Sequence, residues 1–355
     1  MKFATLLFDA RTSLGFTFRM LAQETGIDVA LLNKYEKSER IPSKKHLEEL
    51  IRALDLNAQE AKTAWLAERV YILLDEEDFS IEALHLAEER VEYQRSKKQQ
   101  SLKSLPQDLE TLLNQLNELH NEWSKQKPLN ETQLRKMEEY FNLNYTYESN
   151  RIEGNTLTLQ ETHLIINDGI TVGGKSMREH LEVINHSEAV AFLSEMVREK
   201  IAFTERSLKQ IHHLILKGID RENAGTYRSI GVRISGSTHV PPEPYLLSRL
   251  MEEVFTYYDE NRKLLHPVIL AAEMHERIVR IHPFIDGNGR TTRLVMNLIL
   301  LQNGYPIANI KGDLANRMKY YSALENAPAD ERRSFRLFIA EAVIQSLQEH
   351  IELSK

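Results

Sequence analysis

The most informative stretch of this sequence is residues 282–293, which read His282-Pro283-Phe284-Ile285-Asp286-Gly287-Asn288-Gly289-Arg290-Thr291-Thr292-Arg293. A helical pattern ends near Ile281, and the apolar run from Leu294 to Leu301 predicts a new helix after the stretch. Gly287 and Gly289 allow the backbone to turn tightly and to approach a ligand closely. Because the second helix begins here, its unpaired N–H groups and partial positive charge point at the same spot. The stretch therefore predicts a phosphate-binding loop between two helices.

The polar side chains of this stretch suit chemistry on a phosphate group. Arg290 and Arg293 lie three residues apart, on one side of the second helix, and can donate charge-assisted hydrogen bonds to a polyphosphate. Asp286 offers a hard oxygen ligand of the kind that Mg²⁺ takes when it bridges phosphates. His282 is the group here that can act as a base near neutral pH.

The stretch matches every position of the Fic family motif, His-Pro-Phe-x-(Asp/Glu)-Gly-Asn-Gly-(Lys/Arg)-x-x-Arg. The chain resembles that family over about residues 140–345, including the segment 225–228, the helix 267–281 and the pair Tyr320-Tyr321. The resemblance implies transfer of AMP from ATP to a Ser, Thr or Tyr hydroxyl of a target protein. Members of the family that transfer a different phosphoryl group alter the Gly-Asn-Gly segment, so by the resemblance the presence of both Gly287 and Gly289 favours nucleotidyl transfer.

The resemblance also implies a role for each motif position. His282 would deprotonate the target hydroxyl, Asp286 would hold Mg²⁺ on the α- and β-phosphates of ATP, and Phe284 would be a structural anchor of the loop. The implied nucleotide-binding residues are Gly287, Asn288, Gly289, Arg290 and Arg293, together with Tyr320 and Tyr321. The two tyrosines could flank an adenine, and the alternative is that they pack against neighbouring side chains within a helix.

Residues 228–242 have the one stretch of strand character in this region and predict a small β-hairpin that turns near Gly236. By the resemblance, this hairpin is a flap that accepts the target segment as an extra strand. The implied flap residues are Val232, Ile234, Gly236, Thr238 and His239.

A second motif, Ser149-Asn150-Arg151-Ile152-Glu153-Gly154, resembles the inhibitory motif of the same family. It would end a helix near residues 140–155, and a capping box, Thr158 with Glu161, then begins the next helix. The resemblance implies that Glu153 pairs with Arg293 in the place of the γ-phosphate, with Ser149 and Gly154 completing the motif.

Residues 1–70 predict five short helices, with Thr17 and Asp28 as N-caps on either side of a turn at Gly26. This stretch resembles the XRE or Cro/C1-like helix-turn-helix family. Phe18 and the apolar residues 29–31 leave little for reading base edges, so DNA binding and docking to a protein both stay open. The candidate DNA contacts are Asn33, Lys34, Lys37 and Arg40, with Lys44 and Lys45 beyond them.

The region between these domains, residues 71–128, is predicted to be a helical linker, and residues 129–355 the Fic domain. An apolar stripe in the linker recurs at helical spacing and could pack on a neighbouring helix or support a homodimer. The stripe consists of Leu109, Leu112, Leu113, Leu116 and Leu119.

Composition supports a mainly α fold, because Gly and Pro number only 14 and 10 among 355 residues. The net charge of −7 gives no chain-wide attraction to nucleic acid or to an anionic membrane. The absence of cysteine excludes disulfides and thiol nucleophiles. With no apolar run long enough to cross a bilayer and no secretory signal pattern, a cytoplasmic location is expected.

The sequence thus predicts a self-inhibited protein adenylyltransferase that uses ATP and Mg²⁺ and modifies a target protein or itself. Two alternatives stay open. The protein could be a DNA-binding regulator whose Fic domain senses nucleotide, or Glu153 could position a water that removes AMP at the same site.

Overall fold

The structure is a computed structural model that describes residues 2–75, 77–88, 91, 106–125 and 131–354. The chain divides into two compact units, Met1–Tyr93 and Gln94–Lys355, which are described separately.

The first unit is helical. Its helices are α1 (Phe3–Ser13), α2 (Phe18–Thr25), α3 (Val29–Glu36), α4 (Lys44–Ala53), α5 (Ala58–Leu74) and α6 (80–88). The five helices predicted for residues 1–70 are confirmed. Thr17 accepts a hydrogen bond from the backbone N–H of Met20, and Asp28 accepts one from Ala30, so both predicted N-caps are present. Gly26 takes a positive φ of 67° in the turn between α2 and α3.

The second unit is built from longer helices. They are α7 (Gln107–Lys125), α8 (Glu131–Ile152), α9 (Leu159–Asp168), α10 (Met177–Arg198), α11 (Glu205–Leu216), α12 (Leu247–Asn261), α13 (Pro267–Ile281), α14 (Asn288–Gln302), α15 (Leu314–Asn326) and α16 (Arg333–Leu353), with a 3₁₀ turn at Pro244–Leu246.

Helix α14 runs through the centre of this unit. Residues 294–300 are each at most 1% exposed, and α8, α10, α11 and α13 pack around the helix. A helical stretch whose side chains are apolar except for Asn297 is stable only when it is surrounded in this way. The burial holds the N-terminus of α14 in place, and that end of the helix is where the predicted phosphate-binding loop lies.

Helix α7 belongs to the second unit, where it packs along α16. Three members of its apolar stripe, Leu109, Leu113 and Leu116, are at most 4% exposed and join the main core. The stripe thus packs on a neighbouring helix, and its buried members are not available to a second copy of the chain.

The predicted β-hairpin is wrong, because none of the residues that the structure describes forms a strand. The turn expected near Gly236 is present, but residues 228–242 otherwise run without a strand ladder. The guanidinium of Arg228 donates to the carbonyl oxygens of Ile230 (2.9 Å) and Pro242 (2.5 Å). A buried side chain therefore satisfies acceptors that a hairpin would pair across its two strands.

None of the helices in the described ranges has the length and apolar character needed to cross a membrane.

Candidate active site

His282 lies just after α13, where it caps the helix in the left-handed region, at φ 51° and ψ 57°. Its Nδ1 lies 3.3 Å from the carbonyl oxygen of Val279, which can only accept a hydrogen bond, so Nδ1 carries the proton. Burial lowers the pKa of His282, and the nearby charge of Arg228 acts in the same direction. The ring is therefore neutral at pH 7, with Nε2 available to accept a proton.

The loop after His282 is held by its own side chains. The backbone N–H of Phe284 donates to Oδ1 of Asn288 (3.0 Å), and Nδ2 of Asn288 donates back to the Phe284 carbonyl (2.8 Å). The Phe284 ring is fully buried and stacks on His212, with ring centroids 3.6 Å apart. The buried Phe284 ring thus anchors the loop in the core. The Asn288 side chain fixes the turn, and the Asn288 backbone forms the first residue of α14.

His212 of α11 is a positioning residue to which the sequence assigned no role. Its Nδ1 accepts from the backbone N–H of Gly225 (2.9 Å), which leaves Nε2 protonated to donate to the carbonyl oxygen of Asp286 (2.9 Å). Burial lowers the pKa of His212 to about 4, so the ring stays neutral at pH 7. The segment beginning at Gly225 and the motif loop are far apart in sequence, and this one side chain joins them.

The first turn of α14 has no side-chain cap. Gly287 precedes the helix at φ 75°, and its N–H donates to Oδ1 of Asp286 (2.6 Å). At Gly289 an added Cβ atom would overlap Oε1 of Glu153 and lie 3.1 Å from Nη1 of Arg293. The carboxylate of Glu153 therefore lies against the N-terminus of α14, where helix geometry favours an anion.

Arg293 is 1% exposed and ties the segment 149–154 to α14. Its Nη2 donates to Oε1 of Glu153 (2.7 Å) and to the carbonyl of Ser149 (2.9 Å), and its Nε donates to the Ser149 hydroxyl (3.1 Å). The buried Nη1 has no hydrogen-bond partner among the described residues. Gly154 follows at φ 97°, where it ends the turn after α8.

Arg290 is 2% exposed and also has donors to spare. Its Nη1 lies 3.3 Å from Oε1 of Glu182 and its Nη2 lies 3.4 Å from Oδ1 of Asp286. Its Nε is buried without a hydrogen-bond partner within the described part of the chain. Because buried guanidinium N–H groups are rarely left unpaired, Arg290 and Arg293 together indicate a site for an anionic ligand.

Asp286 presents its carboxylate to this same cleft, with the side chain 41% exposed. Burial alone would raise its pKa, but Arg290, the Gly287 amide and Arg178 outweigh that effect and hold the pKa below its usual range. The described residues contain no group of three or more His, Asp or Glu side chains able to hold a metal ion. A single ionised carboxylate beside phosphate-binding groups does fit Mg²⁺, which keeps several waters and takes its remaining ligands from phosphates.

Comparison with known proteins agrees with this geometry. Residues 202–300 match the Fic/DOC family, and residues 7–60 match a helix-turn-helix family. The chain contains a Fic domain. Both resemblances seen in the sequence are confirmed.

Relatives and solved structures extend the match beyond the motif. The chain is 38% identical over 213 residues to proteins named protein adenylyltransferase Fic from Drosophila yakuba and Drosophila melanogaster, a match that covers 60% of this chain and 42% of each relative. The chain thus spans less than half the length of these relatives. A Fic domain-containing signalling protein from Bacteroides thetaiotaomicron superposes with a TM-score of 0.62 at 27% identity, over 68% of this chain and 96% of that one. A fragment of Fic-1 from C. elegans gives 0.61 at 25% identity, over 98% and 97%.

The two tyrosines assigned to the nucleotide lie behind the site, on the side of Arg293 and the end of α8. Tyr320 is 1% exposed, its hydroxyl lies 3.0 Å from Nε2 of His275, and its ring centroid lies 5.9 Å from the guanidinium carbon of Arg293. Tyr321 donates its hydroxyl proton to the carbonyl oxygen of Ile152 at the end of α8 (3.2 Å). Tyr320 thus packs inside the protein, because α15 turns its side chain into the core.

The predicted flap residues of the Fic domain are held by side-chain contacts. Thr238 donates to Glu325 of α15 (3.2 Å), and Nε2 of His239 donates to the carbonyl oxygen of Arg280 (2.8 Å). Val232 and Ile234 are half-buried, and Gly236 is exposed at φ 80°. These contacts keep the segment beside the end of α13 without strand pairing.

The candidate DNA contacts cluster at one end of α3. Lys34, Lys37 and Arg40 are exposed and Asn33 is half-buried, all in the second half of α3 or after it. The N-terminal end of α3, which in this class of domain meets the bases, exposes Val29 instead. The surface thus offers cations for phosphate contacts and an apolar side chain where base contacts would be made.

Proposed function

We propose that this protein is a protein adenylyltransferase, which transfers AMP from ATP to a hydroxyl side chain of a target protein and is restrained by Glu153. One observation carries the proposal. A neutral His282, with Nε2 free, and the unpaired buried donors of Arg290 and Arg293 all lie beside one helix N-terminus. Relatives at 38% identity bear the name protein adenylyltransferase.

The anionic ligand of the site is the triphosphate of ATP. The first turn of α14 offers backbone N–H groups, while Arg290 and Arg293 add two guanidinium charges that have unsatisfied donors. Arg290 would bind the β-phosphate and Arg293 the γ-phosphate. These contacts would hold the α-phosphorus near His282, because His282 and the N-terminus of α14 lie at the two ends of the same loop.

His282 supplies the proton acceptor for transfer. Its Nε2 takes the proton of the target Ser, Thr or Tyr hydroxyl as the oxygen attacks the α-phosphorus. The new O–P bond joins AMP to the target, while the bond to the β-phosphate oxygen breaks and releases pyrophosphate. Alignment of the attacking oxygen with the leaving group is the main contribution of the site besides the base.

Asp286 is the residue that would hold Mg²⁺, since its carboxylate is ionised and reaches the cleft. When bound, the ion supplies positive charge that neutralises the phosphates and helps the leaving group depart. His212 and the Gly287 amide keep the Asp286 segment in position for that contact.

Glu153 restrains the enzyme by taking up the groups that the phosphates need. Its carboxylate binds Nη2 of Arg293 and lies against the N-terminus of α14 beside Gly289. An arginine held in this way cannot also clamp the γ-phosphate, so ATP would bind out of line for attack.

The N-terminal unit adds at most weak contact with DNA. Its exposed cations at the end of α3 suit phosphate groups, and phosphate contacts carry little sequence information. The unit would localise the enzyme or regulate its expression.

The proposal is tested by incubating the purified protein with labelled ATP and Mg²⁺ and measuring its intact mass. Addition of AMP that requires His282 supports the proposal. Binding of ATP without any AMP transfer, even in the Glu153→Gly variant, would favour the alternative in which the Fic domain only senses nucleotide.

A further inference from the structure

An ion pair joins Asp286 to the start of α10, and neither the motif nor the inhibitory segment accounts for it. Nη2 of Arg178 donates to Oδ2 of Asp286 (2.5 Å) across 108 residues of sequence. On its other side, Nε of Arg178 donates to Oε1 of Glu182, one turn further along the same helix (3.2 Å). Arg178 is thus shared between a carboxylate of its own helix and the carboxylate assigned to Mg²⁺.

Both oxygens of Asp286 are already occupied by donors. Oδ1 accepts from the Gly287 N–H (2.6 Å) and from Nη2 of Arg290 (3.4 Å), and Oδ2 accepts from Arg178. Mg²⁺ binds carboxylate oxygen at about 2.0–2.1 Å and carries two positive charges. A guanidinium at hydrogen-bond distance from the same oxygen would repel it, so binding of one cation at Oδ2 disfavours the other.

The two arginines at Asp286 differ in their freedom to leave. Arg290 is 2% exposed and is enclosed by the core around α14. The side chain of Arg178 is 56% exposed, and Glu182 would still hold its Nε after the contact with Asp286 is broken. Solvent and Glu182 both stabilise the released guanidinium, so Arg178 is the cation that can be displaced.

We infer that Arg178 is a displaceable counter-ion which competes with the divalent cation for Asp286 and so sets the cation concentration at which the nucleotide site is filled. The inference rests on the proposed role of Asp286 in the adenylyltransferase. Arg178 acts through Asp286, and is thus a positioning residue.

The test measures metal binding without turnover. The full chain is titrated with Mn²⁺ in the presence of a non-hydrolysable ATP analogue, and free Mn²⁺ is followed by electron paramagnetic resonance. We expect Arg178→Gln to lower the dissociation constant for Mn²⁺ about two- to fivefold, the range that one half-exposed ion pair supports. Arg178→Lys keeps the charge and should stay close to wild type. Arg249→Gln is the matched control, since Arg249 is an exposed arginine that pairs with Glu253 one turn along α12.

Two results would overturn the inference. Unchanged Mn²⁺ affinity in Arg178→Gln would show that the two cations do not compete, and weaker affinity would show that Arg178 helps to hold the metal–nucleotide complex. Asp286→Asn separates this inference from the proposed function. If Asp286→Asn binds Mn²⁺ like wild type, the metal assignment of the proposed function fails. If it loses Mn²⁺ while Arg178→Gln is unchanged, the role of Arg178 alone fails.

Discussion

The carboxylate of Glu153 lies so close to the backbone of Gly289 that a Cβ atom at position 289 would overlap its Oε1. Gly289 has an ordinary negative φ, so the glycine is needed here for space and not for backbone conformation. The same carboxylate pairs with Arg293 (2.7 Å). One acidic side chain thus contacts both the N-terminus of α14 and Arg293, one of the two arginines proposed to bind phosphate.

This close approach predicts an energetic coupling between the two residues. Gly289→Ala should lower the free energy of unfolding by less than about 1 kcal/mol, because the flexible end of the Glu153 side chain can move away from the new methyl group and alanine has the better helix propensity. In a Glu153→Gly background the main obstacle is gone, so the same substitution should cost clearly less. Urea unfolding of the wild type, both single variants and the double variant measures the difference. Additive effects would show that the two residues do not touch in solution.

Release of Arg293 should activate the enzyme. Glu153→Gly removes the competing carboxylate, and we expect self-modification with ATP and Mg²⁺ to rise at least about tenfold, equivalent to about 1.4 kcal/mol. Intact-mass measurement of wild type and variant follows the product directly.

The double variant Glu153→Gly/His282→Ala is the control, and it should show no modification. Equal or lower modification in Glu153→Gly would contradict the inhibitory role. That outcome would favour the alternative in which Glu153 positions a water to remove AMP.

The protonation state of His282 predicts the pH dependence of transfer. Because burial lowers the pKa of His282, the ring stays neutral down to a pH below the ordinary value for histidine. The rate of AMP transfer by Glu153→Gly should thus change little between pH 8 and pH 7 and should decline only in more acidic solution, as Nε2 becomes protonated. An acid limb centred above neutral pH would argue against this assignment. His282→Ala should abolish transfer at every pH and still bind the ATP analogue within a few-fold of wild type.

His212 should matter for both folding and nucleotide binding. His212→Ala leaves the Gly225 N–H and the Asp286 carbonyl without partners and removes the ring that stacks on Phe284. We expect a loss of about 2–3 kcal/mol in the free energy of unfolding, with weaker binding of the ATP analogue at temperatures where the variant is folded. The exposed neighbour His213 supplies the control, since His213→Ala should change neither quantity. Normal nucleotide affinity in folded His212→Ala would limit His212 to a structural role.

DNA binding by the N-terminal unit should be weak and sensitive to salt. Phosphate contacts from Lys34, Lys37 and Arg40 would dominate, so affinity should fall steeply as salt is raised. Gel shifts with the promoter of the protein's own gene and with an unrelated duplex of equal length compare specific with general binding. A tight, selective complex at physiological salt would show that α3 reads bases despite Val29.

Much of the site could be predicted from the sequence because its groups are contiguous. Residues 282–293 carry the proposed base, the loop glycines and both arginines, and the hydrogen bonds between Phe284 and Asn288 fix the turn from within the stretch. The N-caps Thr17 and Asp28 are local in the same sense, since each bonds a backbone N–H within three residues. The stretch 149–154 is local in the same sense, because its residue pattern lies within six consecutive positions.

Contacts between distant segments were decided only by the tertiary structure. The predicted hairpin is absent, and the carbonyl oxygens of Ile230 and Pro242 accept hydrogen bonds from Arg228 and not from a facing strand. Tyr320 is buried because α15 turns it toward His275. His212 and Arg178 reach Asp286 across 74 and 108 residues of chain, and nothing in their own neighbourhood marks them. Periodicity and motifs report interactions within a few residues, whereas the burial, pairing and charge balance of this cleft depend on which helices pack around α14.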